Sequence, residues 1–172
     1  YDAGDTDLGA SGTFTQADID NGDLYYIHDG SETAAGDFEF SVSDGAGGAI
    51  AQTTFAIGIN AVNDPPTAGN NALTLDEGAT QVIADTDLSV TDPDDSGAAI
   101  TYTVKALPTN GTLQLDNGGW ADLAVDETFT EADITGGNLR YIHDGSETTT
   151  DTATFDVADD ELSTLSGYDL NI

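Results

Sequence analysis

Apolar residues along this chain recur at every second position in short runs. Phe38, Phe40 and Val42 alternate with Glu39 and Ser41, and Phe55, Ile57 and Ile59 alternate with smaller or polar residues. Ile100, Tyr102 and Val104 alternate with Thr101, Thr103 and Lys105; Leu73-Thr74-Leu75 and Thr112-Leu113-Gln114-Leu115 behave alike. A period of two places one apolar row on one face of a strand. Clusters of Gly, Asn and Asp at 43–48, 94–97, 116–119 and 136–138 punctuate these runs as turns. The one helical signal is a hydroxyl followed three residues later by an acid, Thr15 with Asp18 and Thr130 with Asp133, which predicts a short capped turn. Many short strands, frequent turns and no long helix predict an all-β chain folded as β-sandwiches.

The pattern occurs twice. Thr13-Phe14-Thr15-Gln16-Ala17-Asp18-Ile19 returns as Thr128-Phe129-Thr130-Glu131-Ala132-Asp133-Ile134. Tyr26-Ile27-His28-Asp29-Gly30-Ser31-Glu32-Thr33 returns as Tyr141-Ile142-His143-Asp144-Gly145-Ser146-Glu147-Thr148. Both pairs lie 115 positions apart, and one offset held over so many positions indicates tandem repeats. Phe40, Val42 and Asp44 match Phe155, Val157 and Asp159 at the same spacing. Beyond them the second copy reads as two residues shorter, which sets Phe55, Ile57 and Ile59 against Tyr168, Leu170 and Ile172. Nothing in the first copy matches 66–115, so the first repeat is expected to be incomplete and its apolar face to need strands from elsewhere. The opening at Tyr1 reads as the interior of a longer chain.

Between the copies, Asn63-Asp64-Pro65-Pro66 ends the strand pattern, because two prolines fix φ and withhold backbone donors. The division expected is 1–62 for the rear part of one repeat, 63–66 for a linker and 67–172 for a complete repeat. Asn63 and Asp64 place an amide and a carboxylate at this break, oxygen ligands that suit a hard cation. Charge strengthens that reading. The chain has 33 acidic residues against 2 basic ones, a net charge of −31, which disfavours nucleic acid and anionic lipid as partners. Of the acids, 26 are Asp and 7 are Glu. Short carboxylates in turns suit calcium loops, although turn propensity alone also favours Asp. There are no cysteines, so thiolate metal sites and disulfides are excluded.

The linker and acidic clusters resemble those of cadherin-like domains. The Phe-Thr-Gln-Ala-Asp-Ile and Tyr-Ile-His-Asp-Gly-Ser-Glu stretches resemble the chondroitin-sulfate-proteoglycan (CSPG) type of repeat, which also occurs in long bacterial surface and adhesin proteins. This resemblance implies tandem cadherin/Ig-like Greek-key β-sandwiches, strung head to tail, with Ca2+ in the joints. It implies that Asp29, Glu32, Asn63, Asp64, Asp92, Asp94 and Asp159 serve one joint. Glu77, Asp144 and Glu147 would serve the next. Ala61 and Pro65 depart from the usual linker, and Ala98-Ala99 replaces the asparagine that often follows the Asp-x-Asp turn. Fewer ions, one or two per joint, or weaker binding is therefore expected.

His28-Asp29 and His143-Asp144 could pair a base with its orienting acid, but no motif sets a nucleophile beside them; strand-end histidines satisfied by turn groups are expected instead. Trp120 with Tyr141 and Tyr168 could offer a stacking platform for sugars. No enzyme is expected. The expected role is a structural or adhesive extender of a large extracellular or cell-surface protein, stiffened by calcium and able to assemble into a filament or fibre by strand complementation. Its partners would be neighbouring repeats of the same protein or another copy completing the first repeat. The alternative is a module that binds cell-surface or matrix polysaccharide.

Overall fold

The structure, a computed structural model, describes residues 7–172 and divides into two compact units, Tyr1–Ala61 and Val62–Ile172. In the first unit the helix α1 (Gln16–Asp20) is followed by strands β1 (Ala35–Ser43) and β2 (Ala49–Gly58). These two strands form an antiparallel hairpin with an irregular register between Phe40 and Val42. Phe38, Phe40 and Phe55 cluster on it, with Phe38 and Phe55 stacked at 5.2 Å.

The second unit carries β3 (Thr67–Asn71), β4 (Thr80–Val82), β5 (Leu88–Thr91), β6 (Thr101–Ala106), β7 (Gly111–Asp116), β8 (Trp120–Asp122), β9 (Thr128–Thr130), α2 (Glu131–Thr135), β10 (Leu139–His143), β11 (Thr152–Ala158) and β12 (Thr164–Asn171). One sheet runs β4-β10-β7-β8 and another β12-β11-β6-β9, with β3 and β5 paired beside them. Alternation decides what is inside. Tyr102 and Val104 of β6, Leu139 and Tyr141 of β10, and Phe155 and Val157 of β11 are all buried. Tyr102 stacks on Phe129 at 5.0 Å, and Phe155 meets both rings edge-on. Each such side chain stabilises the fold by about 1.5–3 kcal/mol relative to exposure. Among the described residues the chain is all-β apart from two short α-helices and a 3-10 turn at Gly9–Ser11, as the strand period and the resemblance imply.

Both helices have the predicted cap. Thr15 N and Thr130 N donate to the carboxylates of Asp18 and Asp133, whose own N–H groups donate back to the threonine hydroxyls. Two expectations change. Leu73-Thr74-Leu75 lies outside any strand, although Leu73 is buried and Leu75 packs against the core. The second copy is not two residues shorter in its last hairpin. Phe38 faces Phe55 as Ala153 faces Leu170, and Val42 faces Ile50 as Val157 faces Leu165. The offset of 115 thus persists to the end of β12. Both hairpins carry their irregularity at the same place, after Phe40 and after Phe155. The apparent gap arose from aligning aromatic to aromatic; backbone pairing sets Thr53, not Phe55, in the place of Tyr168.

Candidate metal centre

Three segments of the second unit converge at its linker end: Asn63-Asp64, the turn after β5, and the turn between β11 and β12. Asn63 Nδ2 donates to Asp159 Oδ2 at 2.8 Å and to Ser163 Oγ at 3.0 Å. Asp64 N donates to Asp94 Oδ2 at 2.9 Å. Asp92 Oδ1 accepts from the N–H groups of Asp94 and Asp95, both at 2.9 Å, which folds the acidic turn back on itself. Ser163 N donates to Asp159 Oδ1 at 2.7 Å across the second turn. Leu162 sits in that turn at φ +70°, a conformation that costs a bulky residue energy; its side chain is exposed and its N–H donates to Asp159 O at 3.3 Å.

Asp95, Asp159 and Glu161 each bring a carboxylate oxygen within 4.8 Å of the others. Burial acts first on Asp95 and raises its carboxyl, helped by the neighbouring charge of Asp160. A hydrogen bond with Asp160, then burial, then the charges of Asp160 and Asp95 push Glu161 up to about 7. Burial alone would raise Asp159 as well, but hydrogen bonds from Asn63 and Ser163 outweigh it and hold the group below the usual carboxylate range. The cluster therefore contains like charges that repel one another at neutral pH. Three inward oxygens nearby, Asn63 Oδ1, Asp92 Oδ2 and Asp95 Oδ2, are buried without a hydrogen-bond donor. An orphaned buried acceptor ordinarily costs about 1–3 kcal/mol. Orphaned acceptors beside crowded carboxylates, with no nitrogen or sulfur among them, fit a hard divalent cation that takes 6–8 oxygens.

The structure thus brings Asn63, Asp64, Asp92, Asp94 and Asp159 to one end of the second unit. Asp94 is exposed and its carboxylate is used by the linker backbone. Asp95 and Glu161 were not singled out from the sequence. A signal was there: Asp95 directly follows the Asp-x-Asp turn, and Glu161 is two residues past Asp159. Asp29 and Glu32 belong to the first unit. Asp29 accepts from Ser31 N at 3.0 Å, and its bonds with Ser31 hold its carboxyl below the usual range. Asp144 repeats that turn with Ser146 in the second unit, where Glu77 and Glu147 are exposed.

His143 is buried at the end of β10. Its Nδ1 accepts from the N–H groups of Gly78 and Gly145, both at 3.1 Å, and its Nε2 lies 3.2 Å from Thr148 Oγ1. The ring latches two turns together. The three aromatics suggested for sugar stacking do not form one platform. Tyr141 and Tyr168 are buried, and their hydroxyls are held by Asp151 and by the carbonyls of Asn70 and Ser89. Trp120 is covered by the Arg140 guanidinium at 3.9 Å.

Two copies of one strand-rich pattern at a constant offset, the second folded as a β-sandwich, define a tandem-repeat module. The chain belongs to the cadherin-like family, whose profile it matches over residues 5–59 and again over 65–169. It is 32% identical over 149 residues to the human extracellular matrix organizing protein FRAS1, covering 86% of this chain and 4% of that protein. Extracellular matrix protein 3 of Lytechinus variegatus is also 32% identical over 149 residues, covering 86% of this chain and 5% of that protein. Human chondroitin sulfate proteoglycan 4 is 35% identical over 141 residues, covering 77% of this chain and 6% of that protein. The cadherin-like and CSPG-type resemblance read from the motifs agrees with both findings. The chain spans about one-twentieth of the length of these relatives. The names of FRAS1 and of extracellular matrix protein 3 place those two proteins in the extracellular matrix, in agreement with the extracellular or cell-surface location expected here. None of these three names denotes an enzyme. No helix among the described residues is long and apolar enough to cross a membrane.

Proposed function

We propose that this chain is an extender segment of a large extracellular repeat protein, stiffened by Ca2+ at the joint between its repeats. The observation that carries the reading is the set of donorless buried oxygens, Asn63 Oδ1, Asp92 Oδ2 and Asp95 Oδ2, beside the Asp95–Asp159–Glu161 carboxylates. In this proposal Asp29 and Glu32 complete the shell from the first repeat, while Glu77, Asp144 and Glu147 serve the following joint. Bound calcium supplies the positive charge that the cluster lacks. The protein's part is to fix Asp92 through its own turn, to aim Asp159 through Asn63 and Ser163, and to keep the linker against Asp94. Fibre assembly by strand complementation is the further form of this role, and the open hairpin of the first unit is its physical basis.

Calcium is expected to raise the melting temperature in a saturable way. A ligand that binds only the folded state stabilises it by about 2.7 kcal/mol at one hundred times its Kd. Equal melting temperatures in millimolar calcium and in EDTA, at matched ionic strength, would overturn the reading. Magnesium is expected to substitute poorly, because it demands a tight octahedral shell.

Removing single acids is expected to separate joint stiffness from domain stability. With Asp94→Ala the second repeat stays folded, since Asp94 is exposed and lies outside the core. Small-angle scattering in calcium is expected to show this variant bending more than the parent, with an unchanged far-UV spectrum. Asp92→Ala is expected to loosen the joint too and to cost about 1 kcal/mol more, because its carboxylate accepts two backbone N–H groups in the turn. Loss of the β signal in either variant would mean that these acids support the domain itself.

A further inference from the structure

Three asparagines are followed by glycine: Asn21, Asn110 and Asn117. This step carries a chemistry of its own, because the glycine nitrogen lies next to the asparagine side-chain carbonyl and no Cβ shields its approach. Attack closes a five-membered ring and expels ammonia. The fold treats the three steps differently.

Asn110 is held on every side. Its N–H donates to Asp151 Oδ2 at 2.8 Å, its side-chain amide donates to Thr150 O at 3.2 Å, and its carbonyl accepts from Asp144 N at 2.9 Å. Gly111 opens strand β7 opposite His143, so close to Tyr141 that a Cβ there would collide with the ring. Asn21 closes helix α1, where Gly22 N donates to Ile19 O at 3.0 Å and is tied into the last turn. Asn117 lies between β7 and β8 and is exposed. Among the described residues no hydrogen bond holds its side-chain amide. Gly118 follows at φ +90°, with open space where a Cβ would be. Its N–H donates to Asp116 Oδ1 at 3.0 Å, an acceptor that also takes Gly119 N at 2.7 Å. A nucleophile, an exposed amide and a carboxylate on the nucleophile's own hydrogen thus meet in one turn.

We propose that Asn117 is a self-modifying site, at which Gly118 N attacks Asn117 Cγ while the Asp116 carboxylate takes the Gly118 proton. The N–Cγ bond forms, the proton passes from Asp116 to Nδ2, the Cγ–Nδ2 bond breaks, and ammonia leaves behind a succinimide. Water then opens the ring. Opening at Cγ gives aspartate; opening at the main-chain carbon gives isoaspartate, whose backbone runs through the former side chain. Nothing is oxidised or reduced, and water is the co-reactant. Isoaspartate adds a carbon to the main-chain path of the turn, directly beside the pair formed by Asp116 and Trp120. Strand β8 is at the edge of its sheet and is held through β7. Trp120, the chain's single tryptophan, therefore draws away from the Arg140 guanidinium that covers it at 3.9 Å. An extracellular segment that is not renewed accumulates this change with age, a consequence that rests on the extender reading above; the reaction itself does not.

The test incubates the full chain at neutral pH and body temperature, folded and in urea, and reads peptide masses together with enzymatic methylation of isoaspartate. In the folded chain Asn117 is expected to convert at least about a hundredfold faster than Asn110, which reacts only when local opening frees it. In urea the two rates are expected to converge. Asp116→Asn keeps an acceptor for the turn but removes the base, and is expected to slow Asn117 by about tenfold, less than the loss of a tuned base. Trp120 emission is expected to move to longer wavelength in step with isoaspartate, and to stay constant in Asn117→Gln, where ring closure needs a larger ring. Equal rates at Asn117 and Asn110 in the folded chain would overturn the proposal. So would an Asn117 that reacts more slowly folded than in urea, or an Asp116→Asn chain that reacts at the parent's rate.

Discussion

Phe155→Ala is expected to destabilise the second repeat by about 3–5 kcal/mol, whereas Phe40→Ala, its counterpart in the first, is expected to cost under about 1 kcal/mol. The two phenylalanines occupy the same place in the same repeat. Phe155 is fully buried and wedged edge-on against Tyr102 and Phe129, so truncation leaves a cavity that the rigid rings cannot fill. Phe40 is only half-buried on a two-stranded hairpin, where the cavity term is absent. Urea unfolding of both variants, followed by near-UV circular dichroism, checks the contrast. Equal losses would mean that the first unit has a core of its own.

Asp151→Ala is expected to cost the second repeat at least about 3 kcal/mol at pH 7. Its carboxylate is buried and accepts from the N–H groups of Thr109, Asn110 and Thr152 and from the Tyr141 hydroxyl, at 2.8–2.9 Å. Tyr141 reaches it across Gly111, where a Cβ would collide with the ring and its hydroxyl. Alanine would take the acceptor from all four donors, one of them the buried Tyr141 hydroxyl. Burial pushes the Asp151 carboxyl up, but the bonds from Thr109, Asn110, Thr152 and Tyr141 together outweigh it and hold the group below the usual range. A depressed carboxyl contributes stability at pH values above its unfolded pKa, about 3.9, and loses it as pH falls through the folded value. The gap in unfolding free energy between parent and Asp151→Asn is therefore expected to be full at pH 7 and to narrow below about pH 4. A gap that is constant down to pH 2 would contradict this. In the first unit the same position is Gly36, which offers no carboxylate.

The two copies also show which parts of a fold a sequence discloses. Thr15-Asp18 and Thr130-Asp133 make the same capping box, although Ile134 is buried and Ile19 is exposed. That element is decided within four residues, so the motif suffices. Tyr-Ile-His-Asp-Gly-Ser-Glu-Thr is a different case. At 141–148 it opens with paired strand residues, and at 26–33 the same letters lie outside any strand. Period two discloses a capacity to form a strand, and hydrogen bonding to distant residues realises it. The same distinction explains the misread register in β2, where aromatic identity was a poorer guide than backbone pairing. It also explains the acidic site. Asn63, Asp92 and Asp159 were legible as linker and turn motifs. Asp95 and Glu161 join them because two turns more than sixty residues apart fold against each other, which the spacing of neither turn reveals.

The strand by which the chain enters the second repeat lies beside the strand by which it leaves. Ala72 and Asn171 bridge in parallel, Leu73 N donates to Asn171 O at 2.9 Å, and Asn171 Nδ2 donates to Asn71 O at 3.2 Å. Tension applied through the two ends of such a repeat drags parallel neighbours past each other in shear, so the bonds between them share the force and must give way together. An antiparallel pair pulled apart at one end would unzip, losing one bond at a time. Residues 71–73 and 171 therefore resist such a pull together with the bonds between Asp151 and Ile172 beside them, and the repeat lengthens only when these have given way as a set.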